Sequence, residues 1–428
     1  MSLRPNVLHD QRLCAGRRPS LDWNYVRTRR IRTGITLAAV PLAVAGSLIG
    51  LTAPAFATPS QFGAGDLVVE QVGTVGGATP SSTSALVSLW DYSTAGTPSG
   101  FVVTLPSSKS SDTTTSHSLV DSGSATYNGE ISLSGDGQDI YVAGYDDNVG
   151  TTKLTSTVSD ARTVGIVSST GTIDTSTALT SNSTNGSGLT ASGINFRSAT
   201  GSTGSEAGAY SGGDDGLQIS TDGATSATSL TQDAVHQLLI SNNQLYESTT
   251  SAIEQIGTGT PTTGTQSDTS LIASPPAKFE PAGFGFATLG SGTAPDTLYV
   301  ADTGNNAVEK YSFNGSTWVA KGSVTESGVT GIAVSVNAGV ASIYCTNQSG
   351  LYRVTDSSGA GGTLPSSPLP TTLATAPAGE SMKGVVFAAV ASPNQGATPE
   401  VPFVLALPVL AGVGFAGFIV YRRRRQIA

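Results

Sequence analysis

The segment Leu298-Tyr299-Val300-Ala301-Asp302 is the clearest copy of a pattern that recurs through the middle of the chain. An aliphatic residue and a tyrosine open a short apolar run, and a turn rich in Gly, Asn, Asp or Ser follows. The other copies are Ile140-Tyr141-Val142-Ala143, Ala209-Tyr210-Ser211-Gly212, Leu245-Tyr246-Glu247-Ser248 and Ile343-Tyr344-Cys345-Thr346. Successive tyrosines lie about 50 residues apart on average, a period that indicates one repeated structural unit per copy.

Each run is preceded by another apolar segment and joined to it by a tight turn. Residues 130–134 lead through Gly135-Asp136-Gly137 into the run at Ile140, and Asp-Gly turns of this kind connect the strands of a hairpin. Several short strands per unit at this period are typical of the blades of a β-propeller. We therefore expect an all-β fold for residues 58–391, a β-propeller with six blades, seven being possible.

The two ends of this region complement each other. Residues 66–70, 85–92 and 101–105 form apolar runs that lack an inner strand, whereas residues 383–389 form an inner strand with no strands after it. A sheet shared by both ends would remove the exposed edges. The sequence therefore predicts that residues 383–389 pair with the N-terminal strands and close the ring.

Composition and charge exclude several classes of protein. Only 12% of the 428 residues are charged and 52 are glycine, which excludes a coiled coil or a helical bundle. Between Thr58 and Glu400 the chain carries 28 acidic and 9 basic residues, a net charge of −19. Such a body repels nucleic acids and anionic membrane surfaces, so we expect no nucleic-acid partner.

Residues 1–57 have the order of a secretory signal peptide. A basic segment at residues 27–32 precedes an uncharged apolar stretch at residues 34–51, and Ala55 and Ala57 supply a small-x-small cleavage site. An uncut signal anchor is the alternative, and both interpretations export the body. Val26 is an alternative start to Met1, because it would leave a signal of ordinary length.

The C-terminal end has the pattern of a membrane anchor. Residues 403–421 are uncharged, and a helix of that length rises about 28 Å, close to the hydrocarbon thickness of about 30 Å. Stop-transfer residues follow at Arg422, Arg423, Arg424 and Arg425. By the positive-inside rule residues 422–428 form a cytoplasmic tail. We expect a single-pass protein of the bacterial cell membrane, with residues 392–402 as a Pro-containing stalk and the ectodomain at the cell surface.

Two resemblances to known families add to this interpretation. Residues 298–310, with their Tyr-Val-Ala-Asp run and Gly-Asn-Asn turn, resemble an NHL repeat, although Ala307 replaces the usual arginine. Residues 398–402 followed by the apolar stretch and the arginines are similar to a Pro-Glu-Pro sorting signal, with Val401 inserted. The first resemblance implies a bacterial cell-surface β-propeller and no particular activity, since such folds host many functions.

The chain offers few residues for catalysis. The mature region holds only two histidines, His117 and His236, too few for a three-histidine zinc site. His117 lies in a Ser/Thr-rich loop and is expected to be solvated, whereas His236 lies in a strand pattern and is expected to be structural. Cys345 occupies an apolar position of another strand, which indicates a buried, inert thiol. The sequence therefore identifies no catalytic residue, which leaves the catalytic residues of any activity unknown, and it predicts no cofactor-binding residue.

A metal site has weak support. Acidic residues in or beside turns can bind calcium, but Asp also favours turns for local hydrogen-bonding reasons. The acids in question are Asp136, Asp139, Asp146, Asp147, Asp214, Asp215 and Asp302. Calcium is therefore the one cofactor that remains possible from the sequence, and its ligands are not identified.

Two functions remain open. The first is a surface recognition or adhesion module whose loops bind a glycan or protein partner. The second is an exported propeller enzyme, a lyase or lactonase with a metal in the central channel. That alternative needs acids and histidines where the inner strands meet the axis, and those segments carry mainly Ser, Ala, Gly and apolar residues. The sequence favours the binding module.

The signal peptide predicts the first residue of the exported protein. N-terminal sequencing of the chain recovered from the producing cell should read Thr58-Pro59-Ser60, because cleavage follows Ala57. A sequence beginning upstream of residue 34 would instead establish the uncut signal anchor.

Overall fold

Antiparallel β-strands make up almost all of the regular structure. The structure, a computed structural model, describes residues 59–156, 160–182, 195–202, 208–366 and 370–391, which lie in the unit Ala57–Ala428. The predicted signal peptide, stalk, membrane helix and basic tail, with Ala55, Ala57 and Arg422 to Arg425, lie outside the described residues. Within the described ranges, no helix is long and apolar enough to cross a membrane.

The strands follow one another along the chain with few other elements between them. Two short 3₁₀ helices occur in the described ranges, Lys109–Ser111 and Leu154–Ser156. The strands are β1 (Leu67–Gly73), β2 (Ser84–Tyr92), β3 (Pro98–Thr104), β4 (Val120–Ser122), β5 (Ser132–Leu133), β6 (Asp139–Tyr145), β7 (Arg162–Ser168), β8 (Ile173–Leu179), β9 (Ser181–Asn182), β10 (Phe196–Gly201), β11 (Ala209–Gly213), β12 (Gly216–Ser220), β13 (Ser226–Ser229), β14 (Val235–Ser241), β15 (Gln244–Thr249), β16 (Ile253–Ile256), β17 (Asp268–Ser270), β18 (Pro281–Ala287), β19 (Thr297–Asp302), β20 (Ala307–Phe313), β21 (Trp318–Thr325), β22 (Gly331–Asn337), β23 (Val340–Asn347), β24 (Gly350–Asp356), β25 (Thr371–Thr375) and β26 (Glu380–Phe387).

These strands form successive small sheets in chain order. Three sheets have four strands each, β14 to β17, β18 to β21 and β22 to β25, and a fourth joins β10 to β13 with β9. The remaining nine strands form one sheet in which β4 connects two groups, β26-β1-β2-β3 and β5-β6-β7-β8. The prediction of an all-β, propeller-like arrangement is therefore confirmed.

The prediction that the two ends share a sheet is also confirmed. Strand β26 pairs antiparallel with β1, in a register that places Phe387 opposite Leu67 and Val385 opposite Val69. The β26–β1 pairing places the last described strand innermost in the first group. Because β1 is buried along its whole length, this pairing removes an apolar edge from solvent.

Hydrogen bonds link each group to the next at or beside its innermost strand, the last of them through Thr346 on β23. Going round from β26, the amide of Gly384 donates to the carbonyl of Gly129 (2.8 Å), and the amide of Glu130 donates to the carbonyl of Arg197 (3.1 Å). The amide of Leu238 then donates to Ser198 Oγ (3.1 Å), and the amide of Phe284 to Gln237 Oε1 (2.7 Å). Finally, the amide of Gly283 donates to the carbonyl of Thr330 (2.6 Å), and Thr346 Oγ1 donates to the carbonyl of Lys383. The links return to β26, so the inner ring is closed.

The recurring tyrosines pack from each sheet against the following one. Tyr210 donates a hydrogen bond from its hydroxyl to the carbonyl of Pro261 (3.0 Å), and Tyr299 donates to Asp356 Oδ2 (2.6 Å). Two other tyrosines contact a phenylalanine of the following sheet. The ring centroids of Tyr246 and Phe286 lie 4.8 Å apart, and those of Tyr344 and Phe387 lie 5.8 Å apart. The fifth ring, that of Tyr141, lies against Gly201. The repeated tyrosine therefore joins neighbouring sheets, through a hydroxyl hydrogen bond for Tyr210 and Tyr299 and through ring packing for the others.

Glycine is required where the inner strands approach each other. A Cβ atom on Gly384 would lie 2.5 Å from the carbonyl oxygen of Gly129 and 2.6 Å from the amide nitrogen of Ile131. Both neighbours are backbone atoms, so no side chain could move aside to make room.

We expect Gly384→Ala to destabilise the protein by about 3 kcal/mol or more, because the added methyl group forces β26 away from the next inner strand. Urea unfolding of the full chain measures this. Gly292→Ala is the matched control, because Gly292 has open space around its Cβ position and should change stability by less than about 0.5 kcal/mol. Equal midpoints for the two variants would contradict the tight inner ring.

Candidate functional site

A cavity lies on the axis where the innermost strands end. Its volume is about 170 Å³, and strands β5, β14, β18, β22 and β26 contribute to its wall. The lining residues are Ser132, Leu133, Gln237, Leu239, Ile240, Ser241, Phe284, Gly285, Phe286, Ile332, Ala333, Val334, Val385, Val386 and Phe387. None of them is titratable. Several apolar ones, including Leu239, Phe286 and Val334, are only half-buried, so the cavity opens to solvent.

The cavity walls follow from strand periodicity. Side chains alternate across a strand, so successive residues of an inner strand face the two neighbouring sheets. Ile332 packs in the core that includes Ala282, whereas Ala333 packs in the core that includes Val385. Phe286 is held in place from behind by Tyr246 and by Trp318, whose ring centroid lies 5.8 Å from that of Phe286. An apolar, pre-formed recess with few polar groups has the general character of a ligand-binding site.

Polar side chains gather at the opposite end, where the innermost strands begin. The rings of Tyr127 and His236 stack with centroids 4.0 Å apart and planes 5° apart. Tyr127 donates a hydrogen bond from its hydroxyl to Glu280 Oε1 (2.7 Å) and lies 3.0 Å from Thr303 Oγ1. The guanidinium carbon of Arg197 lies 6.0 Å from the centre of the Tyr127 ring. We call these residues the polar end of the channel.

The polar end is not tuned for proton transfer at neutral pH. His236 is buried, and burial together with the nearby Arg197 charge lowers its pKa to about 4. Its Nδ1 donates to the carbonyl of Pro281 (2.8 Å), since that oxygen can only accept. Burial raises the pKa of Tyr127 to about 12. An effective general acid or base has a pKa near the working pH, so the cluster fits a structural role better, as expected for His236.

Arg197 is also held by other groups. It forms an ion pair with Asp214 and donates from Nη1 to the carbonyl of Val235 (3.0 Å). The Asp214 carboxylate in turn accepts hydrogen bonds from the amide and the side chain of Asn195, each 2.8 Å long. One of the turn acids considered for calcium is therefore an arginine partner.

A second buried polar cluster lies between the first two four-strand groups. Glu70, Asp121, Glu130 and Lys383 are all at most 1% exposed. Both oxygens of Glu70 and one of Asp121 have no hydrogen-bond partner among the described residues. Lys383 donates from its ammonium to the carbonyl of Ala125. One ammonium cannot balance three carboxylates, so this cluster is under-compensated.

Burial determines the protonation of these groups. It raises the pKa of Glu130 to about 8 and that of Asp121 to about 6, in both cases against the opposing charge of Lys383. It also raises the pKa of Glu70 well above its usual range, with Asp121 adding to the shift. Burial lowers the pKa of Lys383. All four side chains are buried, so the cluster does not offer a surface to a ligand, and its uncompensated charge lowers the stability of the joint.

Sequence reasoning missed this cluster and overstated how apolar the inner strands are. Lys383 interrupts an apolar run and Glu130 stands directly before another, which is the signal that would have marked them.

His117 was expected to be solvated, but its side chain is only 21% exposed and its Nδ1 lies 3.8 Å from Asp146 Oδ2. Asp112, His117 and Asp146 bring one ligand atom each within 4.8 Å of one another. Cys345 is buried as expected, and burial raises the pKa of its thiol far above the usual range.

The remaining turn acids mostly form local hydrogen bonds. Asp136 accepts from Ser134 Oγ (2.6 Å), and Asp302 accepts from the side chain of Asn305 (2.6 Å). Such bonds are the ordinary reason for Asp in turns. Neither residue belongs to a metal-binding group among the described residues.

Comparisons with solved structures find remote likenesses. A candidate 6-phosphogluconolactonase from Bacteroides uniformis is 11% identical, with 73% of this chain and 84% of that chain covered and a TM-score of 0.41. The nidogen/laminin complex is 11% identical over 76% of this chain and 99% of that chain, with a TM-score of 0.42. The periplasmic gluconolactonase of Pseudomonas aeruginosa is 12% identical over 76% and 99%, with a TM-score of 0.40.

These likenesses are too remote to carry an argument about activity, and the arrangement of the sheets rests on the hydrogen bonds described above. No protein-family model and no curated protein matches the chain. The NHL-like and sorting-signal resemblances therefore gain no support from a family match and stay predictions.

The buried acids predict a pH dependence. A carboxyl group whose pKa is raised in the folded state stabilises the fold below its unfolded pKa, and that stability is lost as pH rises through the folded pKa. For Glu130 the window runs from about 4.5 to about 8. We expect Glu130→Gln to gain stability relative to the wild type across this window, by an amount on the order of 4 kcal/mol.

Urea unfolding at pH 4.5 and pH 8 measures the effect. Asp222→Asn, at an exposed position, controls for the change in net charge and should show no such gain. A Glu130→Gln difference that stays constant between the two pH values would show that Glu130 titrates normally.

Proposed function

We propose that the chain is an extracellular recognition module, a six-bladed β-propeller anchored in the bacterial cell membrane, whose open apolar cavity receives a side chain of a protein partner. The count of six takes the nine-stranded sheet as two blades, β26-β1-β2-β3 and β5-β6-β7-β8, with β4 between them. Export and anchoring rest on the sequence patterns of residues 1–57 and 403–421. The observation that carries the proposal is the apolar cavity at the end of the channel.

The size of the cavity supports an aromatic or large aliphatic occupant. A volume of about 170 Å³ slightly exceeds the engineered apolar cavity of about 150 Å³ that binds benzene in another protein. Phe286 and Phe387 offer ring edges and faces to such a group. A buried anchor of this kind often dominates the affinity of a protein interface.

The chemistry of the wall favours binding over catalysis. None of the lining residues is a histidine, an acid, a lysine or a cysteine, so the wall offers no general base and no strong nucleophile. A glycan would also need several polar partners, and the wall supplies mainly Ser132, Gln237 and Ser241. A protein partner is therefore favoured over a glycan.

An exported enzyme of the lyase or lactonase type is the second candidate. Its support is the convergence of Tyr127, Arg197, His236 and Glu280 at the polar end of the channel. The pKa of about 4 for His236 weakens it as a base at neutral pH. Hydrolysis of γ- or δ-lactones that His236→Gln abolishes would establish this candidate in place of the first.

Filling the cavity tests the recognition proposal. Ala333 lines the cavity, and Ala333→Leu adds three carbon atoms to that space. We expect indole, used as a probe and followed by calorimetry, to bind the full chain and to bind Ala333→Leu at least about tenfold more weakly, because the recess is occupied. The same variant should lose any partner found in a screen of surface proteins.

Ala294→Leu is the matched control, because Ala294 is exposed and is not among the residues that line the cavity, so the same chemical change should leave binding unaltered. Equal indole affinity for both variants, or none for the wild type, would contradict the cavity as the recognition site. A glycan array that gives binding sensitive to Ala333→Leu would replace the protein partner by a glycan.

A further inference from the structure

Four carboxylates meet on one face of the sheet formed by β14 to β17. Glu247 on β15 pairs directly with Glu254 on β16, so their side chains project from the same face. Glu254 pairs with Ser270 of β17, and Asp268 lies two residues before Ser270, so it shares that face as well. Asp233 approaches from the segment just before β14. One oxygen from each of Asp233, Glu254 and Asp268 lies within 4.8 Å of the other two.

Glu247 is the buried member of this cluster. It is 0% exposed, and its Oε2 has no hydrogen-bond partner among the described residues. Its Oε1 has only a long contact of 3.4 Å to Thr231 Oγ1. An ionised carboxylate with an unsatisfied oxygen in the interior is costly unless a proton or a cation compensates for it. The orphaned oxygen is therefore independent evidence that the site takes up positive charge.

Among the described residues, no lysine or arginine forms an ion pair with these four carboxylates. Burial and the neighbouring carboxylates raise the pKa of Glu254 to about 7, and they raise the pKa of Glu247 well above its usual range. By contrast, the group at Asp112, His117 and Asp146 has Lys109 within 3.8 Å of Asp146 Oδ2.

We infer that Asp233, Glu254 and Asp268 bind a calcium ion on one face of the sheet formed by β14 to β17, beside the buried Glu247. Calcium takes oxygen ligands at about 2.3–2.6 Å, so two ligands of one ion lie at most about 5 Å apart. The separations of up to 4.8 Å fit that limit. An all-carboxylate set without nitrogen or sulfur also favours calcium over zinc or copper. None of the turn acids considered from the sequence belongs to this site.

The ion would brace the outer half of the sheet. Strand β17 has only three residues, all exposed, and pairs with β16 through Ile256 and Glu254. Like charges opposite each other destabilise a strand pair. A divalent cation between Glu254 and Asp268 replaces that repulsion by attraction, so the site would be a stability site on the rim of the ring, separate from the channel.

Calcium-dependent melting of the full chain tests the inference. After chelation with EDTA and removal of the chelator, added calcium chloride alone should raise the melting temperature by at least about 2 °C at pH 7.5. In Glu254→Gln and Asp268→Asn this rise should disappear. Both variants should also melt above the chelated wild type without calcium, since each removes a repelling charge; this second readout shows that the variants fold.

Asp112→Asn is the matched control at the other group of ligands, and it should keep the full calcium response. A calcium response lost in Asp112→Asn but kept in Asp268→Asn would overturn the inference, and so would a wild type that does not respond to calcium. A failure of this test leaves the cavity proposal untouched, because the two sites share no residue.

Discussion

The pairing of β26 with β1 is the constraint on which the rest of the structure depends. It joins the last described strand to the first, and it places Val385 and Met382 in a fully buried position against neighbouring sheets. Without it both the first four-strand group and the inner ring of hydrogen bonds would be incomplete. The axial cavity depends on it too, because Val385, Val386 and Phe387 form part of its wall.

Closing the ring also buries charged side chains, which lowers the stability that the apolar contacts provide. Lys383 lies on β26 and Glu70 on β1, at the irregularity in the pairing of the two strands, so closing the ring carries both into the interior near Asp121 and Glu130. Retaining charge there would be expensive, and the carboxylates respond by holding protons to higher pH. The same joint that completes the ring therefore couples its stability to pH. Gly384 and Gly129 let the two backbones come close enough to form it.

The fold was largely predictable from local patterns. The repeated Tyr strand, the hairpin turns and the unmatched apolar runs at both ends predicted the sheets and their closure, because each depends on residues adjacent in sequence. The sites were not predictable. The cavity wall takes a few residues from each of several strands far apart in the chain, and the partnership of Lys383 with Asp121 arises only when the sheets assemble. The calcium ligands likewise converge only through the pairing of β15, β16 and β17.

Native-state hydrogen exchange of the peptide covering β26 tests the central claim most directly. If β26 closes the ring, its amides should exchange only through global unfolding, with the same opening free energy and denaturant dependence as the central strand β23. Exchange of β26 through a local opening, several kcal/mol below that of β23 and insensitive to denaturant, would contradict the account, since the ring would then stand without its closing strand.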